Sequence, residues 1–269
     1  MEEQDNGPVE PREAAVVAGG VAIVIPAFNE AMTIESLVAG CLALPGRPRV
    51  IVVDDGSTDE TAVLAAEAGA ELLPQQENRG KGDSLRRGMR AALAGGAACI
   101  VTLDADGQHR PADIPRLLLM AAAWPGHVVI GARCDHGGDR APPARLAANR
   151  VADFWVSWAA RRPVADSQSG FRVYPAALAA ALVGGAGRAE RFAFESEALI
   201  VAGRRGYGIV AVSIPAIYDA DLRPSHFRPV ADIASIVRIV AARLLVRGMD
   251  PVGLWRSRRS VRNTNPRDV

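Results

Sequence analysis

Only three cysteines occur in 269 residues. Cys41, Cys99 and Cys134 are odd in number and widely spaced, which excludes a disulfide-stapled scaffold and a cysteine-built zinc site. Cys41 and Cys99 lie in apolar runs, where a small hydrophobe serves, so the thiols are read as reduced and the chain as cytoplasmic. No uninterrupted apolar stretch reaches the roughly 18 residues of a membrane span. The nearest candidate, Ile233–Leu245, is broken by Arg238 and Arg243. The N-terminus lacks the basic region and apolar run of a signal peptide. Two phosphate-binding signatures are missing as well. There is no Gly-x-x-x-x-Gly-Lys-Ser/Thr loop, and no Gly-x-Gly-x-x-Gly follows the first apolar run, which argues against a P-loop and a dinucleotide cofactor. Neither sign of charge dominates: 31 Lys and Arg against 30 Asp and Glu leave +1.

That charge is unevenly spread. Met1–Gly20 is acidic and rich in proline and glycine, the composition of a disordered tail. The other end carries Arg243, Arg247, Arg256, Arg258, Arg259, Arg262 and Arg267 against Asp250 and Asp268. Such an excess suits a solvated tail or an anionic partner such as a membrane surface. One domain over residues 21–247 is expected between an N-terminal tail (1–20) and a basic tail (248–269).

Within the domain, β-branched runs alternate with Ala- and Leu-rich stretches. Strands are expected at Val21–Ile25, Val50–Val53, Glu71–Leu73, Ile100–Leu103, Val128–Gly131 and Ile209–Ile214. Helices are expected near Thr33–Leu44, Thr58–Ala68, Ser84–Ala94, Ile114–Ala123, Arg145–Ala160, Arg191–Ala202 and Ala231–Arg247. Ser57-x-x-Glu60 reads as a capping box opening the second helix. The alternation predicts an α/β fold, a mostly parallel sheet with helices on both faces, with ligands at the carboxyl ends of the strands.

Those ends are polar. After the first strand comes Pro26-Ala27-Phe28-Asn29-Glu30, after the second Asp54-Asp55-Gly56-Ser57-Thr58-Asp59, and after the fourth Asp104-Ala105-Asp106-Gly107-Gln108. Residues i and i+2 at a strand end point the same way, so Asp104 and Asp106 could share one hard cation, Mg²⁺ or Mn²⁺, with Gln108 reaching it from the turn. Such a metal neutralises a diphosphate leaving group. Asp54 or Asp55 could accept a hydrogen bond from a base or ribose. Asn78-Arg79-Gly80-Lys81-Gly82 offers close backbone approach and, through Lys81, charge compensation.

Together these stretches resemble the family 2 glycosyltransferases of the GT-A fold. Asp104–Pro111, Ser169-Gly170-Phe171-Arg172-Val173-Tyr174 and Phe194-Glu195-Ser196-Glu197 are similar to the dolichol-phosphate mannosyltransferase, or polyprenyl-phosphate glycosyltransferase, branch. The resemblance implies that Pro26, Phe28 and Glu30 line a nucleotide-sugar pocket with Asp55, and that Asp104, Asp106 and Gln108 form the metal shell. It implies Arg133 near an acceptor phosphate with Arg145, Arg150 and Ser169 as helpers, and Arg223 and His226 on a loop over the diphosphate. Two departures stand out: Phe28 replaces the family's usual tyrosine, and His226 lies where lysine or arginine is common.

The expected reaction is one inverting displacement from a nucleotide-diphosphate sugar. A polyprenyl phosphate acceptor needs no general base, being already ionised; a hydroxyl acceptor would need one, and Glu195 or Glu197 is the candidate. A nucleotidyltransferase would carry a Gly-rich basic loop where Pro26–Glu30 stands, and a non-catalytic sugar-nucleotide binder would not need both aspartates. The basic end of the chain adds peripheral contact with the cytoplasmic membrane face to the expected partners. Nucleic acid is not among them.

Overall fold

The computed structural model describes residues 20–134, 143–184, 194–215, 237–238, 240–241, 244–245 and 248–258. Arg223 and His226 lie outside the described residues, as does most of the helix expected over Ala231–Arg247.

The strands are β1 (Val21–Ala27), β2 (Arg49–Asp54), β3 (Glu71–Pro74), β4 (Cys99–Thr102), β5 (His127–Cys134), β6 (Arg172–Pro175) and β7 (Gly208–Pro215). The helices are α1 (Ile34–Leu42), α2 (Thr61–Glu67), α3 (Lys81–Ala94), α4 (Ile114–Ala123), α5 (Pro143–Ala160), α6 (Ala176–Gly184), α7 (Phe194–Arg204) and α8 (Pro251–Ser257), with a 3₁₀ turn at Pro111–Asp113 leading into α4. All seven strands form one sheet in the order β3-β2-β1-β4-β6-β5-β7. Four pairings are parallel; β6 alone runs against both its neighbours, β4 and β5. That reversal brings the polar segment entering β6 to the same edge as the exit from β4.

Alternate residues of each strand feed two separate cores, as the two-residue period requires. Ala22, Val24, Ile51, Val53, Ile100 and Tyr174 pack against α3, α5, α6 and α7. Val21, Ile23, Ile25, Val50, Val52, Val101 and Val173 pack against α1 and α4. Each fully buried Val or Ile contributes about 1.5–3 kcal/mol, and both faces are covered, so strands that read as unbroken apolar runs are the central ones. Gly88 sets how closely α3 lies on the sheet, since a Cβ there would run into the Val24 side chain. Cys41 and Cys99 are buried free thiols, pushed up to about 12 and about 11 by burial.

Three expectations change. Helix α2 begins at Thr61 with Glu60 at its cap, without a side-chain capping bond, so the Ser57–Glu60 capping box does not form. The Ser57 hydroxyl instead accepts from the Asn29 backbone N–H at 2.9 Å, joining two strand-end loops. Helix α3 starts three residues earlier than the pattern suggested. Part of the stretch expected as a basic tail is helical: α8 is capped by Asp250, which accepts from Gly253 N–H at 3.0 Å and pairs with Arg161 of the α5 terminus at 2.6 Å.

Candidate active site

Backbone and side-chain bonds lace the strand-end loops together. The Asn29 side chain accepts from Thr58 N–H at 2.8 Å, and Glu30 N–H donates to the Thr61 hydroxyl at 2.8 Å. Asp54, buried, accepts from Ser57 N–H. Asp55 turns the other way. Its carboxylate accepts from the backbone N–H groups of Arg79 and Gly80, both at 2.8 Å, and from the Gln75 amide at 3.0 Å. Burial raises its pKa, against the pull of those N–H donors. Gly80 has φ of 91°, a left-handed backbone that glycine adopts without strain. A carboxylate on the two N–H groups ahead of a helix is the favourable partner for its positive end. Asp55 and Gly80 thus fix where α3 starts and where its first residue, Lys81, stands.

Lys81 reaches across the sheet edge to two carboxylates. Its Nζ lies 2.8 Å from Asp104 and 2.7 Å from Glu195 at the start of α7. Burial works against the ammonium charge, but the two carboxylates outweigh it and raise its pKa. Burial would likewise raise Asp104, yet the Lys81 charge and hydrogen bond hold it below the carboxylate range. Asp106 goes the other way, raised by burial and by the charge of Asp104. Opposite shifts on two neighbouring carboxylates are what one small anionic pocket produces.

The turn bearing these aspartates is held from both sides. Thr33, at the head of α1, donates to the Ala105 carbonyl at 2.5 Å, and Gln108 N–H donates to Asp106 at 3.1 Å. Thr102 donates to the Gly170 carbonyl at 2.7 Å. A Cβ on Gly170 would collide with both Asp104 oxygens, so the glycine of the Ser169–Tyr174 motif makes room for that carboxylate. Arg172, fully buried, donates to the carbonyls of Ser167, Ser169 and Glu195 and to the Tyr174 hydroxyl, tying this loop to α7. The Ser169 hydroxyl donates to Gly131 O at 2.7 Å, a bond within the scaffold.

Arg133, near the end of β5, is gripped by Asp166. Its Nε and Nη2 donate to the two carboxylate oxygens at 2.9 and 2.8 Å, and its backbone N–H adds a third bond at 3.0 Å. Burial would raise Asp166, but Arg133 holds it low. His109 lies between these groups, buried and 5.2 Å from the Phe171 ring; burial holds its imidazole down at about 4. Glu197 pairs with Arg86 at 2.9 Å. Arg150 is exposed on α5, and the side chain of Arg145 lies outside the described residues.

The structure therefore brings Lys81, Asp104, Asp106, Arg133 and Glu195 to one edge, with Asp54 and Asp55 in the adjoining loop. Asp166, Arg172 and Gly170 build the site without a role assigned from the sequence, although Gly170 and Arg172 belong to the Ser169–Tyr174 motif. Four carboxylates (Asp104, Asp106, Asp166 and Glu195) meet two side-chain cations, Lys81 and Arg133. No group of three His, Cys, Asp or Glu side chains able to hold a metal occurs among the described residues. A surplus of carboxylate without a complete protein cage fits a hard cation that shares substrate phosphates.

The family model for glycosyl transferase family 2 matches residues 22–172, more than half of the chain. The chain belongs to this family. It is a glycosyltransferase, and its relatives include enzymes named for lipid phosphates. The UDP-N-acetylglucosamine–dolichyl-phosphate N-acetylglucosaminyltransferase of Methanococcus voltae is 30% identical over 215 residues, covering 73% of this chain and 85% of the relative. The polyprenol monophosphomannose synthase of Mycolicibacterium smegmatis is 27% identical over 179 residues, covering 64% and 65%. Among solved structures, glucosyl-3-phosphoglycerate synthase from Mycobacterium tuberculosis with Mn²⁺, UDP and phosphoglyceric acid matches with a TM-score of 0.65 at 25% identity, over 88% of this chain and 81% of that one. The fold is therefore that of the GT-A glycosyltransferases, as the sequence suggested.

Proposed function

We propose that this glycosyltransferase moves a sugar from a nucleotide-diphosphate sugar to a polyprenyl phosphate in one inverting displacement. The observation that carries the reading is the state of the two candidate bases. Glu195 is engaged by Lys81 and Glu197 by Arg86, so neither faces an acceptor hydroxyl unencumbered. An acceptor that is already an anion removes the need for a base, and two relatives are named for such acceptors.

Asp104 and Asp106, with Gln108, would hold Mg²⁺ or Mn²⁺, and the ion would neutralise the leaving diphosphate; Mn²⁺ and UDP accompany the structural neighbour. The remaining work is positioning. Lys81 orients the Asp104 carboxylate and adds positive charge beside the departing phosphates. Arg133, locked by Asp166 in a single orientation, presents a guanidinium to the acceptor phosphate, the kind of preorganised charge that lowers a barrier without reorganisation. Pro26 and Asp54, at the ends of β1 and β2, and Phe28 and Glu30, in the loop after β1, form the nucleotide side of the cleft, with Asp55 behind them. In this reading the lipid approaches from the cytoplasmic membrane face; among the described residues no helix is long and apolar enough to span a membrane.

A transfer assay tests the proposal. Donors are first ranked by thermal shift among GDP-, UDP- and dTDP-sugars with Mn²⁺, since bound ligand raises apparent stability. The best donor is then offered polyprenyl phosphate beside soluble hydroxyl acceptors. We expect glycosyl polyprenyl phosphate as product, lost in Asp106→Ala. Product on the hydroxyl acceptors alone would overturn the reading and make Glu195 or Glu197 the base.

A further inference from the structure

At the far end of α7, about 13–14 Å along the helix from Glu195, positive charge collects around a cavity of about 350 Å³. It is lined by Arg161, Arg162, Gly203, Arg204, Gly206 and Arg256. Arg161 and Arg162 follow the last turn of α5, Arg204 ends α7 and Arg256 comes from α8. Asp250 holds Arg161 at 2.6 and 2.9 Å and stands 3.8 Å from Arg204. Neither Arg162 nor Arg256 has an ion pair among the described residues. Four guanidinium groups thus line one cavity, two of them without an ion pair among the described residues, and a bound anion would offset their mutual repulsion.

The frame around them is rigid. The Asp250 carbonyl accepts from the Trp158 indole at 3.0 Å, and its carboxylate both caps α8 and grips Arg161. A Cβ on Gly203 would strike the Ala160 backbone, so α5 and α7 meet closely just beside the cavity. Guanidinium groups presented on fixed elements match the paired oxygens of a phosphate. The volume lies in the range of about 300–1,000 Å³ usual for small-ligand sites.

We propose that this cavity is a second anion site, separate from the transfer site, which takes a phosphate-bearing group. Val252 and Trp255 are exposed on α8, the helix that carries Arg256, so the phosphate could belong to a lipid headgroup as readily as to a soluble compound. No residue of the cavity takes part in the transfer mechanism above.

The full chain, in EDTA, is titrated calorimetrically with inorganic pyrophosphate and co-sedimented with vesicles of phosphatidylcholine, with and without phosphatidylglycerol. Wild type is compared with R162A/R256A and with R47A/R90A, which removes the same charge elsewhere. At least one probe binds wild type, and R162A/R256A weakens it by about tenfold or more, the loss of one charge-assisted hydrogen bond, while R47A/R90A does not. Loss of pyrophosphate binding identifies a soluble phosphate compound; loss confined to phosphatidylglycerol vesicles identifies a headgroup. Should the double variant fail to fold, R256A, at an exposed position, is read in the same way. Wild type that binds neither probe, or equal weakening in both variants, overturns the site.

Discussion

The Lys81 ammonium stands 2.8 Å from the Asp104 carboxylate that is expected to bind the metal. The lysine neutralises part of the charge that a cation would meet at Asp104. Lys81→Met should therefore tighten Mn²⁺ binding in the absence of donor, because Asp104 no longer has a competing cation. It should also slow turnover by about 10²-fold, since a charge beside the leaving phosphates is gone. Calorimetry with Mn²⁺ and a transfer assay separate the two effects. Weaker Mn²⁺ binding in the variant would show that Lys81 builds the metal site rather than competing for it.

Gly170→Ala tests how tightly the Asp104 carboxylate is cradled. The added methyl would overlap both Asp104 oxygens, so the carboxylate must turn away. We expect a large rise in the metal concentration needed for half-maximal activity, with a stability loss of about 1–3 kcal/mol from overpacking. An unchanged metal requirement would mean that Asp104 is not a ligand in its present orientation.

Arg133 and Asp166 form a closed pair, so single truncations mislead. Arg133→Ala leaves a buried carboxylate without its cation and should cost about 3–5 kcal/mol of stability. The double variant Arg133→Ala/Asp166→Ala should recover much of that stability, yet remain poor in transfer to polyprenyl phosphate. Urea unfolding and the transfer assay on all four proteins check this. Recovery of transfer together with stability would reduce Arg133 to a structural role.

His109 predicts a pH dependence. Burial depresses its pKa from 6.5 to about 4, so between these values the unfolded chain binds the proton and the folded chain does not. Stability therefore falls as pH drops through that window, reaching a loss of about 3 kcal/mol below it at about 1.36 kcal/mol per unit. Buried carboxylates with raised pKa, such as Asp55 and Asp106, act in the opposite direction. The difference between wild type and His109→Phe isolates the histidine. In EDTA, that difference measured by urea unfolding should shift in favour of the variant by about 2 kcal/mol from pH 7.5 to pH 5. A pH-independent difference would refute the buried neutral imidazole.

Strands β1, β2 and β4 were legible because they are β-branched runs buried on both faces and followed by polar residues. The reversal of β6 was not: four residues, Arg172–Pro175, carry no mark of direction. Helix α6, Ala176–Gly184, escaped notice because its apolar residues lie all round it instead of in a stripe. Two glycines at the head of α3 looked like loop, and it is the distant Asp55 that settles where the helix begins. The aspartates at the strand ends could be read directly. Their partners could not, because Lys81 and Glu195, or Arg133 and Asp166, meet only through the fold.

The antiparallel β6 also sets the order in which the catalytic edge can be assembled. Strands β1 to β4 can pair as they leave the ribosome, each finding a neighbour already made. Thr102 must wait for Gly170, 68 residues later, and Arg86 for Glu197, 111 residues later. Until α7 docks, Lys81 and Asp104 have no Glu195 to close their cluster. Closure of this edge therefore needs residues far apart in the chain, and a cut between α6 and α7 would separate Glu195 covalently from Lys81 and Asp104.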